Sequence, residues 1–439
     1  MKRIAAYITF FTLIAWGVSA AEPVSSLTLE AALDAALKNN ADLRKSELAA
    51  YQALREKNNA WNMFLPNISA SLGITNTHPV LPAADPSNSW SAGASASLQL
   101  STAMPANIKL LGIKALAAEE AFDNARRTLV TQVSTNFYSL LEENLNIEIL
   151  RNDRELKKQQ YENTSKNYRT GLASELEMLN AQYAYQIAGP ALNDAVVRHE
   201  QNRAAFLLLI GLEAAGGAEP EGVIEVKLLD LPRTGDLILR YCDSRYDVRT
   251  QTLTLEQAKL NARIGSLNRA PSISLSESFR LNPAQNAGFS FADLASSGSF
   301  SVSVSIPISA WIPGSSQSLN ALALKENAAQ TEQSLDTVRK KAAQDIQKKA
   351  DEIERIRENL ESAALNLKIA SRAYELSEQG YRRGLVSQTD LQSANRNMVN
   401  AKQTLLITNT SYLAAVYNLA EALRLDIDEV YALYAQETK

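Results

Sequence analysis

The chain has 439 residues, 44 Lys and Arg against 48 Asp and Glu, a formal net charge of −4 at pH 7, and 46% hydrophobic residues. A mildly acidic balance gives no reason to expect nucleic acid as a partner, and a single cysteine, Cys242, rules out an internal disulfide framework. With only 17 Gly and 13 Pro among abundant Ala, Leu, Asn, Gln, Ser and charged residues, the composition fits long helices better than compact α/β layers.

At the amino end, Lys2 and Arg3 precede an apolar stretch from Ile4 to Val18 and then Ser19, Ala20 and Ala21. That pattern predicts a secretory signal peptide over 1–20, cleaved after Ala20. The residue directly after that point is Ala21 rather than cysteine, so no lipid-anchored terminus is expected. Beyond it no run of about 20 apolar residues occurs, so no transmembrane helix is expected either.

A helix is predicted over 28–64, followed by two segments in which small polar and apolar residues alternate. In the first, Ile68, Ala70, Leu72 and Ile74 alternate with Ser69, Ser71, Gly73 and Thr75. In the second, Ala92, Ala94, Ala96, Leu98 and Leu100 alternate with Gly93, Ser95, Ser97, Gln99 and Ser101. Period two with one apolar and one polar face is a strand with lipid or core on one side and water on the other. A long helix over 106–170 comes next, then a tight break at Gly171-Leu172, a medium helix over 174–212 in which Gly189-Pro190 should introduce a kink, and a connecting region over 213–235.

The order then repeats. A third strand carries Ile273, Leu275, Phe279 and Leu281, with Glu277 interrupting its apolar face. A fourth alternates Phe300, Val302, Val304, Ile306 and Ile308 with Ser301, Ser303, Ser305 and Ser309. Polar loops at 76–89 and 282–298 join the strands of each pair, as extracellular loops would. A second long helix spans 317–383, with Leu360, Ala364, Leu367, Ala370 and Ala373 as its apolar seam. At about 1.5 Å per residue each long helix measures about 100 Å, and two medium helices end to end match one of them. A cylinder wall is therefore expected, one continuous helix beside two stacked shorter ones, with 213–235 packed at mid-height.

The two halves are copies. Tyr161 and Tyr168-Arg169-Thr170-Gly171-Leu172-Ala173-Ser174 recur at the same spacing as Tyr374 and Tyr381-Arg382-Arg383-Gly384-Leu385-Val386-Ser387. Asp42-Leu43-Arg44 and Pro66-Asn67-Ile68-Ser69 recur as Asp247-Val248-Arg249 and Pro271-Ser272-Ile273-Ser274. The expected division is a signal peptide (1–20), a first structural repeat (21–235) and a second (236–439). Strands of about 9 to 11 residues suit a tilted crossing of a bilayer, with the polar faces lining an aqueous lumen. Four strands do not close a barrel, and open edges in lipid cost several kcal/mol per unpaired backbone group. Oligomerisation is therefore required, and three copies supply twelve strands, enough to leave a lumen. The expected fold class is mainly α with a transmembrane β-barrel portion: long coiled-coil helices plus four strands per subunit.

Taken together, the duplication, strand pairs, long helices and Tyr-x-x-Gly-Leu turns resemble the TolC-like outer membrane efflux family of channel-tunnels across essentially the whole mature chain. The resemblance implies a homotrimer with a twelve-stranded barrel in outer membrane lipid and a helical tunnel in the periplasm. It also implies a periplasmic membrane fusion adaptor and an inner membrane transporter as partners, for efflux of small molecules or type I secretion. By position, Gly171, Leu172 and Ala173, with Gly384, Leu385 and Val386, correspond to adaptor-docking turns. Glu177 and Tyr381 match a gate in which an acid on the first turn meets a tyrosine and an arginine on the second. Val386 stands where the family has that arginine, leaving Arg382 or Arg383 to substitute. Asp390 matches an acid at the pore entrance, and Ser393 stands where a second acid is expected.

His78 and His199 are the only histidines, far apart, and no phosphate-binding glycine loop or metal-spaced cysteine pair occurs. An enzyme is not expected, nor a cofactor or metal. The alternative is a periplasmic coiled-coil adaptor or scaffold without a pore, which explains the helices and signal peptide but not two pairs of bilayer-length strands.

Overall fold

The computed structural model describes residues 26–77, 87–212, 218–283 and 294–435. The expected signal peptide, most of both extracellular loops and the start of the mid-chain connection lie outside them.

A two-residue strand, β1 (Ser26–Leu27), leads into α1 (Leu29–Asn39), whose first turn is capped by the Thr28 hydroxyl accepting from the Ala31 amide. The helix expected over 28–64 is in fact three pieces: α1, α2 (Ala41–Asn58) and a 3₁₀ turn over Ala60–Phe64. Asn40 causes the first break. Its backbone is extended, its Oδ1 accepts from the Leu43 amide at 2.8 Å, and its Nδ2 donates to the Leu209 carbonyl at 2.8 Å. One side chain thus starts a new helix and satisfies an orphan carbonyl at the end of another.

The hairpin β2 (Asn67–Thr77) and β3 (Ser87–Leu100) precedes α3 (Met104–Arg169), 66 residues long, and α4 (Glu175–Leu209). Helix α4 runs unbroken through Pro190. At its end Gly211 has φ +73°, and a Cβ there would stand 2.6 Å from Asn39 Cβ, so both conformation and space demand glycine. Strand β4 (Glu219–Pro220) pairs in parallel with β1. The second half contains α5 (Thr234–Tyr241), α6 (Tyr246–Leu267), β5 (Ser272–Pro283), β6 (Leu294–Ser305), α7 (Ser316–Arg382) with 67 residues, α8 (Gln388–Leu423) and α9 (Ile427–Tyr434). The fourth strand stops at Ser305 rather than Ser309. Pro307 offers no amide to a ladder, and Ile308–Trp311 turns into a 3₁₀ helix.

Helix α3 lies beside α1 and α2 along one part of its length and beside α4 along the rest, and α7 lies likewise beside α6 and α8. Each long rod, about 100 Å from its rise, therefore backs two stacked shorter helices. Helix α3 also meets α6 and α8, which joins the halves, so α4 and α7 flank the layer. The sheet follows the same order, β2-β3-β5-β6, antiparallel throughout.

The apolar cores sit at mid-height. Phe137, Leu140, Val133, Phe206 and Ile210 anchor the first. Tyr412, Ile346, Ile353, Leu419 and Leu423 anchor the second. The described part of the connecting segment ties them, Ala218 entering the first core and Leu229 the second, where the Leu229 amide donates to the fully buried Tyr412 hydroxyl at 2.8 Å. Along α7 the inward stripe runs through the buried Ile353, Ile356 and Ala363 and the half-buried Leu360, Leu367, Ala370 and Tyr374, with Ala364 and Ala373 exposed. The seam expected from the sequence is thus displaced by one residue at two positions, because a stripe with steps of three and four passes through Ala363 and Tyr374 instead.

Candidate functional site

Both helical hairpins end in the same turn. After α3, the Leu172 amide donates to the Asn167 carbonyl (2.8 Å) and the Gly171 amide to the Tyr168 carbonyl (3.0 Å). After α7, Leu385 donates to Gly380 (2.8 Å) and Gly384 to Tyr381 (2.9 Å). These are paired Schellman closures, and Gly171 and Gly384 take φ +75° and +73° as the motif requires. The next helix starts two residues after Ala173 or Val386, capped by the intervening Ser174 or Ser387. Two tight turns of matching geometry thereby present Leu172 and Leu385 at 80% and 79% exposure, an unusual display for leucine.

The residues assigned to the gate have local partners within one subunit. Glu177 accepts from the Ser174 amide at 2.7 Å and from its hydroxyl at 3.0 Å, while the Glu177 amide donates back to Ser174 Oγ. This is a capping box. Asp390 holds the corresponding place in α8, accepting from the Ser387 hydroxyl at 2.7 Å. Arg382 pairs with Glu378 at 2.5 Å on its own helix. Val386 packs so closely over Gly380 that a Cβ there would meet Val386 Cγ2 at 2.5 Å. Among the described residues no hydrogen bond or ion pair joins Glu177 to Tyr381, Arg382 or Arg383. Arg383 has no ion pair among them. Ser174-x-x-Glu177 and Ser387-x-x-Asp390 each set the acid at the N3 position of a serine-capped helix.

The sheet separates two chemistries. Ile68, Leu72, Ile74, Leu98, Leu275, Phe279, Phe300, Val302 and Val304 share one face, with Glu277 set between Ala96 and Phe300. The other face is mostly serine, and its hydroxyls pair across strands: Ser69 with Ser95 at 2.8 Å, Ser276 with Ser301 at 2.7 Å and Ser278 with Ser299 at 2.8 Å. Where strands give way to helices, Trp61, Phe64 and Trp311 are more than two-fifths exposed, and Trp311 Nε1 donates to the Arg269 carbonyl at 3.2 Å. An apolar band ending in exposed aromatics with a polar opposite face is the pattern of a lipid-facing barrel wall. No helix among the described residues is long and apolar enough to cross a membrane.

A further feature escaped the sequence reading. The seam between the halves is polar: Asn395 donates to Asp153 (2.8 Å), Gln403 to Asn146 (2.8 Å), Thr410 to Glu142 (3.4 Å) and Thr128 to Glu421 (2.7 Å). Burial and the neighbouring Glu143 push the Glu142 carboxyl above its ordinary range, partly offset by Thr410 and Arg198. At the upper end Arg424 reaches Glu120 at 2.7 Å and Asp123 at 2.5 Å, and Arg249 also pairs with Glu120. Arg424 is the one non-glycine residue of positive φ, at 56°, among the described residues. It follows Gly211 at the interval that separates Gly384 from Gly171, so aligning the two halves over their full length would have flagged it.

A sheet with a lipid-facing belt, continuous with paired helical rods, defines a channel wall. The sequence matches the model of the outer membrane efflux protein family over residues 32–212 and 238–423, and the chain belongs to that family. No curated protein sequence matches it. Among solved structures, the Campylobacter jejuni CmeC outer membrane channel aligns with TM-score 0.76 at 18% identity, covering 91% of this chain and 88% of that one. The Vibrio cholerae outer membrane protein VceC aligns with TM-score 0.70 at 14% identity, covering 90% and 95%. The open state of the Neisseria gonorrhoeae MtrE outer membrane channel aligns with TM-score 0.70 at 18% identity, covering 93% of each chain. The protein is thus an outer membrane efflux channel, with its strands in the membrane and its helices in the periplasm.

Proposed function

We propose that three copies assemble head to tail into a closed conduit that works with a periplasmic adaptor and an inner membrane transporter, in two structural repeats of 21–235 and 236–439. The observation that carries this reading is that sheet and helix layer are open on the same two flanks. Strands β2 and β6 are the sheet edges, and α4 and α7 flank the helices. Helix α4 shows Leu176, Leu179, Tyr183 and Ile187 there, and α7 shows Leu365, Ile369 and Leu376, all more than two-fifths exposed. A threefold operator that pairs β6 with the next β2 also covers both apolar stripes, and ring closure removes every edge. Transport energy comes from the inner membrane partner. Purified in mild detergent, the protein should image as a threefold cylinder with a detergent belt at one end; a belt-free monomer or rod would instead support the pore-free scaffold.

The docking surface is the six turns of the trimer, formed by Gly171, Leu172 and Ala173 with Gly384, Leu385 and Val386. An adaptor with a complementary apolar pocket would bury the two leucines, each contributing about 1.5–3 kcal/mol. Replacing both Leu172 and Leu385 by Asp should reduce adaptor capture by more than tenfold without disturbing the trimer. Capture at the unaltered level would place docking elsewhere.

A further inference from the structure

The hydroxyl face of the sheet carries one charged residue among its described positions, Arg280. It lies on β5 in register with Ser274, Ser276 and Ser278 and is paired across the sheet with Gly93 on β3 and Ser297 on β6. Both cross-strand neighbours are small, so nothing beside it packs against the side chain. Arg280 is exposed and makes no hydrogen bond or ion pair among the described residues. The other face holds one charge of its own, Glu277, which points away from it, because neighbours an odd number of residues apart on a strand face opposite sides. Charge on the inner wall is therefore uncompensated along the described strands.

We propose that Arg280 forms a ring of three guanidinium groups in the barrel lumen that favours anionic solutes, specifically those bearing carboxylate or phosphate. The assignment rests on the trimeric channel proposed above. Twelve strands about 4.8 Å apart and tilted by about 40° close at a backbone radius of roughly 12 Å. An arginine extending about 6 Å inward sits roughly 6 Å from the axis, inside the Debye length of about 8 Å at physiological ionic strength, so a passing ion feels all three charges. The surrounding wall is neutral, and three pairs of its serine hydroxyls bond one another, so Arg280 is the one charged donor that the described positions of that wall offer an anion. The planar guanidinium presents paired N–H donors that match the two oxygens of a carboxylate or phosphate. Arg280 is ninth of the twelve residues of β5 counted from the periplasmic end, which places the ring in the outer half of the barrel.

The test is block of the reconstituted trimer by tripolyphosphate added on the barrel side of a planar bilayer in about 0.1 M KCl, where exposed charges act over about 10 Å. The unaltered channel should be blocked, and Arg280→Ser and Arg280→Gln should each weaken the block by at least about tenfold, since a multivalent anion meets three charges at once. Arg280→Lys should retain part of it. Raising KCl to about 1 M should abolish the difference, the screening length then being about 3 Å. Serine already occupies most of this face, so the Ser variant is compatible with the fold. Channels that insert and conduct, yet show no block or the same block in every variant, overturn the assignment and leave the channel reading standing. A protein that forms no conducting trimer overturns both.

Discussion

Combining Glu177→Gln with Tyr381→Phe is expected to raise single-channel conductance several-fold, and Glu177→Ala with Tyr381→Phe should do the same. The comparison matters because Glu177 has two jobs that alanine removes together. Within its own subunit the carboxylate completes a capping box with Ser174. Across the proposed subunit boundary it would meet Tyr381 and Arg383. Glutamine keeps the cap, since Gln at N3 serves as Glu does, but deletes the charge. A hydrogen bond to a charged group contributes about 1.5–3 kcal/mol, and three such contacts around a ring would hold the tip shut. If the Gln variant conducts like the unaltered channel and only the Ala variant differs, Glu177 is a capping residue and the gate lies elsewhere.

Arg424→Ala is expected to destabilise the protein by about 3 kcal/mol, in the range for removing one partner of a buried ion pair, as measured by the shift in denaturant midpoint. Arg424 and Glu120 are both mostly buried, so the variant leaves Glu120 with Arg249 alone and Asp123 with Arg127 alone. Arg424→Gly should cost about 1 kcal/mol less, because glycine adopts φ 56° without the left-handed penalty. Equal losses in the two variants would show that the backbone is not strained. The same cluster fixes an acid limit. Burial disfavours the charged form of Asp123, but the hydrogen bonds and charges of Arg424 and Arg127 outweigh it and hold the carboxyl below its ordinary 3.8. A depressed carboxyl stabilises the fold above its unfolded value and loses that contribution as pH falls through the folded one. The unaltered protein should therefore lose stability from this cluster only below about pH 4, and Arg424→Ala should flatten that part of the profile.

Much of the fold was legible because periodicity is a local property. Ser69, Ser71, Ser301 and Ser303 alternate with Ile68, Ala70, Val302 and Val304 whether or not the chain is folded, and 66 residues without a stop signal leave little choice but a long helix. The breaks were harder. Asn40 interrupts the first helix through a bond to Leu209, a partner that sequence does not bring near, and Ile308 left its strand because Pro307 ended the ladder. The tip turns were visible as repeated Gly-Leu pairs. What they engage was not, since within one subunit Glu177 and Asp390 are satisfied by serines three residues away, and the pairing assigned to them needs a second chain. Arg424 and the polar seam escaped for a related reason: Asp153 and Asn395, or Asn146 and Gln403, are ordinary surface residues until α3 and α8 come together.

That seam has a mechanical meaning. Where α3 meets α4, or α7 meets α8, separation would strip water-averse side chains bare. Where α3 meets α8 below the equator, each rung joins an amide or hydroxyl to an amide or carboxylate, and water can take the place of either partner at little net cost. The two halves are therefore fastened by wettable teeth beneath an ion-clamped hinge at Arg424. Such a joint can unzip from the tip upward without its rods coming apart, and it limits how far the unzipping travels.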